Sequence, residues 1–213
     1  MNELIEKLYF DGFILYPIDK SERVVSECIE TIKEISVNNI KDGYFLEKHN
    51  DNASDLRPSV KEYSECFTQF YLATGITTFL EEFLSYKTDI STLQLRGAYS
   101  GSSYLGWHRD THRYTNEDKV HGNIPPIFKS IFYPKLHEQE ARPTLQVNNG
   151  SHIRYFNSKI IDLGLPRTPF VKKTKVYESN DHALVFNTAL LHSVLGVSGS
   201  PIFRMIASFV KSE

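Results

Sequence analysis

The segment Tyr104-Leu105-Gly106-Trp107-His108-Arg109-Asp110 holds a His-x-Asp pair. In extended backbone, residues i and i+2 project from one face, so His108 and Asp110 are spaced to grip a single metal ion. An imidazole and a carboxylate are two parts of a facial set of two histidines and one carboxylate, which leaves three coordination positions open. His192 is the best candidate for the missing ligand. It follows the apolar run His182-Ala183-Leu184-Val185-Phe186 and its turn, where a sheet delivers an imidazole to a pocket floor. Twelve residues further on, Arg204 interrupts the apolar strand Ile202-Phe203-Arg204-Met205-Ile206-Ala207-Ser208. A guanidinium there needs a partner, because an unpaired buried charge costs several kcal/mol. Its planar fork matches a carboxylate, such as that of a substrate, and Ser208 faces the same side to assist. His112 invites a His-x-x-x-His zinc reading, but Arg109 stands where that motif needs its glutamate base.

The elements that must position these residues follow from periodicity. After residue 89 the chain becomes short apolar runs at 93–99, 127–133, 144–147, 170–177, 183–186 and 202–210, separated by turn signals, which is how an antiparallel sandwich or barrel reads. The first part is different. Helical spacing covers 3–9, 21–36 and 59–86, the last as two helices meeting near Gly75, and Phe13-Ile14-Leu15-Tyr16 suits a strand. Residues 37–58 are polar and rich in Asn, Asp and Gly, so a loop with at most one short strand at 44–46 is expected. The expected architecture is a single α+β domain, with a mainly helical flank over 1–88 packed on a jelly-roll core over 89–213.

A chain of 213 residues, 40% hydrophobic and 13% aromatic, has the material for one sizeable core. A formal net charge of -2 excludes a protein whose overall field draws it to nucleic acid or anionic lipid. The two cysteines, Cys28 and Cys66, form no metal-binding spacing and read as reduced thiols in helices. No apolar run is long enough for a membrane helix, and the opening MNELIEKLYF lacks a signal-peptide pattern, so a soluble cytoplasmic protein is expected. Arg109, Arg113, Lys119, Arg142 and Arg154, with Lys172, Lys173 and Lys175, read first as a solvated surface balanced by Glu117, Asp118, Glu138 and Glu140, and otherwise suit an anionic substrate. The polar segment 111–126, directly after the metal motif, is a candidate lid.

Four motifs in order resemble the phytanoyl-CoA dioxygenase-like branch of the iron(II), 2-oxoglutarate-dependent oxygenases. They are Asp11-Gly12-Phe13-Ile14-Leu15, Trp107-His108-Arg109-Asp110, Leu145-Gln146-Val147-Asn148-Asn149-Gly150-Ser151-His152, and the pair His192 and Arg204. Asn148-Asn149 departs from the Val-Pro or Ile-Pro common before Gly-Ser-His, and 213 residues is short for the branch. The resemblance implies a double-stranded β-helix, a cupin-like jelly roll, holding iron through His108, Asp110 and His192, with Arg204 clamping the far carboxylate of 2-oxoglutarate. Dioxygen would be the oxidant, succinate and carbon dioxide the by-products, and a C-H bond of a small or medium-sized metabolite the target. It further suggests that Lys129 touches 2-oxoglutarate. Tyr99 and Gln94 line the same pocket or are ordinary sheet residues. Asp110 favours hydroxylation or another C-H oxidation over halogenation, since related halogenases replace this carboxylate with a small residue. The alternative is a jelly-roll module that binds a sugar or metabolite without turnover. Whether the protein forms oligomers is left open by the sequence.

Overall fold

The computed structural model describes residues 2–37, 45–50, 53–56, 65–98, 105–110, 126–138, 140–154, 172–197, 199 and 202–213. Two antiparallel sheets face each other, and helices cover one of them. The larger sheet has the order β1-β9-β6-β11-β4-β3-β2 and the smaller β5-β10-β7-β8. In chain order the strands are β1 (Phe13–Pro17), β2 (Phe45–Asn50), β3 (Ala53–Leu56), β4 (Thr88–Ala98), β5 (Leu105–His108), β6 (Phe128–Phe132), β7 (Pro143–Asn148), β8 (Lys173–Tyr177), β9 (His182–Asn187), β10 (His192–Val194) and β11 (Ile202–Lys211). The helices are α1 (Asn2–Asp11), α2 (Arg23–Val37), α3 (Glu65–Ala73), α4 (Ile76–Leu84) and a single turn α5 (Ser151–Arg154).

Alternation along β11 explains why one strand serves two cores. Phe203, Met205, Ala207 and Phe209 point into a cluster with the helices, where Val25, Cys28, Ile32, Phe67, Phe70, Tyr71 and Phe79 are buried. Ile202 and Ile206 point the other way, into the space between the sheets, with Phe13, Ile131, Leu184, Phe186, Leu145, Val147 and Val194. Arg204 and Ser208 share that inward face by the same period of two. A slip of one residue would exchange the two sets, so the register is held by both cores at once.

The helical layer forms where apolar residues recur at helical spacing. Gly75, at φ 76, ends α3 and lets α4 start in a new direction, as its position between the two periodic stretches predicts. Tyr71 is fully buried on α3, and its hydroxyl donates towards the carbonyls of Met205 (3.2 Å) and Ser130 (3.4 Å), pinning that helix to β11 and β6. The aromatic helix therefore covers the β core. Both cysteines are free thiols. Among the described residues no helix is long and apolar enough to cross a membrane.

The structure corrects two expectations. The stretch read mostly as loop supplies β2 and β3, which extend the large sheet beyond β4, with Asp55 in register with Arg96. Strands added to an existing edge gain their backbone hydrogen bonds from the neighbour, so they need no apolar alternation that a sequence would display. The boundary near residue 88 is also not an architectural one, because β1, β2 and β3 lie before it and belong to the sheet.

Candidate metal centre

His192 opens β10, a three-residue strand held between β5 and β7, and is in register with His108 on one side and Val147 on the other. It is thus a strand residue and not part of a turn. Asp110 lies just past β5, fixed by its own N–H donating to the Thr188 carbonyl at 3.0 Å. The outcome is a cluster in which one ligand atom from each of His108, Asp110 and His192 lies within 4.8 Å of the others.

Each ring is oriented by the same device. His108 Nδ1 donates to the Gly106 carbonyl (2.7 Å) and His192 Nδ1 to the Leu190 carbonyl (2.9 Å). A carbonyl only accepts, so both Nδ1 atoms carry the proton and both Nε2 atoms present a lone pair. Those lone pairs face the carboxylate, with His108 Nε2 3.7 Å from Asp110 Oδ1 and His192 Nε2 3.6 Å from Oδ2. Lys129 of β6 reaches Oδ2 from the large sheet at 3.0 Å.

Burial pushes the His192 imidazole down to about 4, so at neutral pH it is uncharged and offers no proton to compete with a cation. Burial alone would raise the Asp110 carboxyl, but His192, Lys129 and His108 around it outweigh that and hold it below the ordinary carboxylate range. Two imidazoles and a carboxylate are the donor set a divalent first-row metal takes on one face, and the residues fit such an ion.

Behind the ligands a second layer ties the strands together. Arg109, between His108 and Asp110, turns away from the ligands, is 8% exposed, and donates through Nη1 to the carbonyls of Ser151 and Ala189. Ser151 Oγ accepts from the Leu191 N–H at 2.8 Å, so the Gly-Ser-His turn steadies the residue before His192. That turn is anchored to the N-terminal segment. Gly150 N–H donates to the Asp11 carbonyl (2.8 Å), and His152 Nε2 to the Tyr9 carbonyl (3.0 Å). Gly12, at φ 79, packs so closely on the His152 ring that a Cβ would stand 2.3 Å from its Nδ1.

The remaining predicted residues separate. Gln94, Lys129 and Ser208, together with Asp110, line one cavity of about 320 Å³, whose described walls also include Ser91, Thr92, Ile127, Thr188 and Val210. Arg204, 3% exposed, is opposite Arg96 on the inward face and is not among the described residues that line that cavity. Tyr99 lies outside the described residues, as do Arg113, Lys119 and all of the candidate lid except Pro126. The basic cluster is dispersed: Arg109 is buried on carbonyls, Arg142 forks onto Glu178 at 2.9 Å, and Lys173 lies over the Trp107 ring at 5.3 Å. Thr92 and Thr188 are cavity residues the sequence reading missed. Thr92 was within reach, standing two before Gln94 on the same strand face.

SnoN, the non-heme alpha-ketoglutarate-dependent epimerase from nogalamycin biosynthesis, superposes with a TM-score of 0.72 at 12% identity, over 99% of this chain and 80% of that one. HygX from Streptomyces hygroscopicus, solved with nickel and 2-oxoglutarate bound, gives 0.68 at 15% identity over 100% and 87%. The chain shares their fold. It also matches EvdMO1 with a TM-score of 0.67 at 12% identity, covering 99% of this chain but only 50% of that one. HygX has been solved with hygromycin B as well, and SnoN with Fe3+, alpha ketoglutarate and nogalamycin RO. No protein-family model matches the chain, and no curated protein matches it in sequence.

Proposed function

We propose that the chain is one iron(II)/2-oxoglutarate-dependent oxygenase domain, built as a double-stranded β-helix of the phytanoyl-CoA dioxygenase-like kind, that hydroxylates a C-H bond of a small metabolite. The observation that carries the reading is the pair of Nε2 lone pairs aimed at one carboxylate, with both Nδ1 protons committed to carbonyls. The strand order supports it, because β4 to β11 distribute between the two sheets with the ligands at the ends of β5 and β10. Structural neighbours solved with iron or nickel and 2-oxoglutarate support it too.

His108, Asp110 and His192 would hold the metal. When bound, iron(II) with 2-oxoglutarate and dioxygen supplies the oxidising equivalent for C-H chemistry, with succinate and carbon dioxide as by-products. Arg204 would take the far carboxylate of 2-oxoglutarate, since it is a buried cation on the inward face of β11, two residues from Ile206 in the apolar space between the sheets. The chain's own contribution is orientation. Carbonyls fix the imidazoles, Thr188 fixes the aspartate backbone, and Phe186, edge-on to the His192 ring at 5.1 Å, helps keep water from that side.

The test is an anaerobic visible difference spectrum of the protein with iron(II), then 2-oxoglutarate. A metal-to-ligand charge-transfer band that requires both additions is expected. Its absence in folded protein that binds iron(II) would remove the assignment.

A further inference from the structure

The cavity beside Asp110 has a wall that mixes apolar surface with many polar side chains. Its described lining contains four hydroxyls (Ser91, Thr92, Thr188, Ser208), one carboxamide (Gln94), one ammonium (Lys129) and the Asp110 carboxylate, beside two aliphatic side chains, Ile127 and Val210. Three of the hydroxyls already spend their proton on the protein. Ser91 Oγ donates to the Ser208 carbonyl (3.3 Å), Thr188 Oγ1 to the Ile127 carbonyl (3.0 Å), and Thr92 Oγ1 to Ser208 Oγ (2.8 Å). They therefore face the cavity with lone pairs, while Ser208, having accepted, keeps its own O–H to give. Lys129 has a hydrogen bond to Asp110 and further N–H groups.

Such a wall asks for a ligand with several groups that both donate and accept. A hydrocarbon chain would strand the hydroxyl lone pairs away from water. A phosphate or polycarboxylate, which only accepts when ionised, would meet the Asp110 carboxylate and three hydroxyl lone pairs, against a single cation already engaged by Asp110. A ring bearing several hydroxyls matches both demands. The volume, near the lower bound of the roughly 300–1,000 Å³ usual for ligand sites, suits one ring better than a polycycle.

We infer that this cavity is the substrate subsite and that it takes a neutral polyhydroxylated ring, a sugar or cyclitol unit, with Thr92, Gln94, Ser208 and Lys129 reading its hydroxyls. The inference rests on the oxygenase reading for the word substrate, but the cavity's chemistry does not depend on it. It departs from the anionic substrate that the basic residues suggested. Along β11 the cavity wall at Ser208 is four residues from Arg204, about 13 Å of strand, with Ile206 between, so the two ends of the inward face serve different ligands.

The experiment is ligand-detected NMR and calorimetry on the full chain, with and without nickel and 2-oxoglutarate, using myo-inositol, methyl glucoside, decanoate and inorganic phosphate as probes. Millimolar binding of a polyol, weakened at least tenfold by Thr92→Val and by Gln94→Leu, is the expected result. The second variant guards against a folding defect in the first, and both are checked by thermal melts. Tighter binding of decanoate or phosphate than of either polyol, no polyol binding to folded protein, or polyol affinity unmoved in both folded variants would overturn the proposal. So would variants that weaken 2-oxoglutarate and spare the polyols, since the cavity would then be the cosubstrate's. Polyol binding in a protein that forms no charge-transfer band would uphold the cavity assignment and sink the oxygenase reading instead.

Discussion

His108 and His192 are in register across β5 and β10, and each ring donates its Nδ1 proton to the carbonyl two residues before it, Gly106 and Leu190. The ring centroids are 4.2 Å apart, so the two lone pairs converge from adjacent strands rather than from flexible loops. The tautomers are therefore set by the backbone before any metal arrives, which lowers the ordering cost of binding.

Asp110→Ala removes the only carboxylate of the cluster and leaves Lys129 beside two imidazoles. Metal affinity should drop at least about a hundredfold, more than the 10–100-fold typical of losing a supporting group. Succinate formation that depends on a substrate should vanish while the circular dichroism spectrum stays unchanged. Retained turnover would show that the ligands are wrongly assigned.

Arg109→Met should behave as a structural lesion with a metal phenotype. The substitution keeps much of the volume but strips the donors from the Ser151 and Ala189 carbonyls, at a cost of roughly 2–4 kcal/mol. Because Ser151 holds Leu191, nickel affinity should fall as well, by about tenfold. Denaturant titration paired with metal titration checks both parts, and a change in metal affinity with no loss of stability would contradict the account.

At Gly12 a methyl group has no room, and the backbone φ of 79 is costly for any L side chain. Gly12→Ala should destabilise the protein by about 2–4 kcal/mol. Replacing His152 with Ala in the same chain should recover the steric part and leave the backbone part. A double-mutant cycle measures that coupling, and strict additivity would mean the ring and the glycine are not in contact.

Acid should weaken the metal-free protein before any carboxylate titrates in the unfolded chain. Burial, reinforced by the nearby Arg109 charge, lowers the His152 pKa from 6.5, and burial takes His192 down to about 4. An unfolded histidine binds its proton near 6.5, so below that pH the unfolded state holds protons that the native state does not. Stability therefore falls as the pH drops from about 6.5, with the His192 contribution levelling off near 4. Urea midpoints measured across that window should slope downward, less so in His152→Gln, and equal slopes in the two proteins would refute the His152 share.

Tyr71→Phe tests the helical layer. Losing the hydroxyl that reaches Met205 and Ser130 should cost about 1 kcal/mol, visible as a lower melting temperature without altered nickel binding.

The parts of this molecule that the sequence discloses are those where chemistry and periodicity coincide. His108 and Asp110 announce themselves by alternation, and β11 by a run whose two faces are both buried, into which Arg204 and Ser208 fall at even steps. Of β2 only the beginning, near residues 44–46, could be read and β3 not at all, because edge pairing leaves no apolar trace. Arg109 was misread for a related reason. A cation between two polar ligands looks like a surface charge, and only the fold reveals that Ala189 and Ser151 curl round to receive it. The cavity wall draws on β4, β6, β11 and the turn after β9, so apart from the neighbours Ser91 and Thr92 its hydroxyls lie far apart in sequence and acquire meaning only together.

β1 pairs with β9, joining residues 13–17 to residues 182–186. On a ribosome adding roughly 5–20 residues per second, the early strand waits on the order of ten to thirty seconds for its partner to be made. Phe13 and Ile14, each no more than 2% exposed once folded, spend that interval without their sheet. Tyr9 and Asp11 also carry the carbonyls that hold the Gly-Ser-His turn, so the arrival of residues 182–192 both shelters β1 and completes the support behind His192. Expression at lower temperature, or in the presence of a chaperone that covers short apolar segments, should accordingly raise the yield of chains able to take up metal.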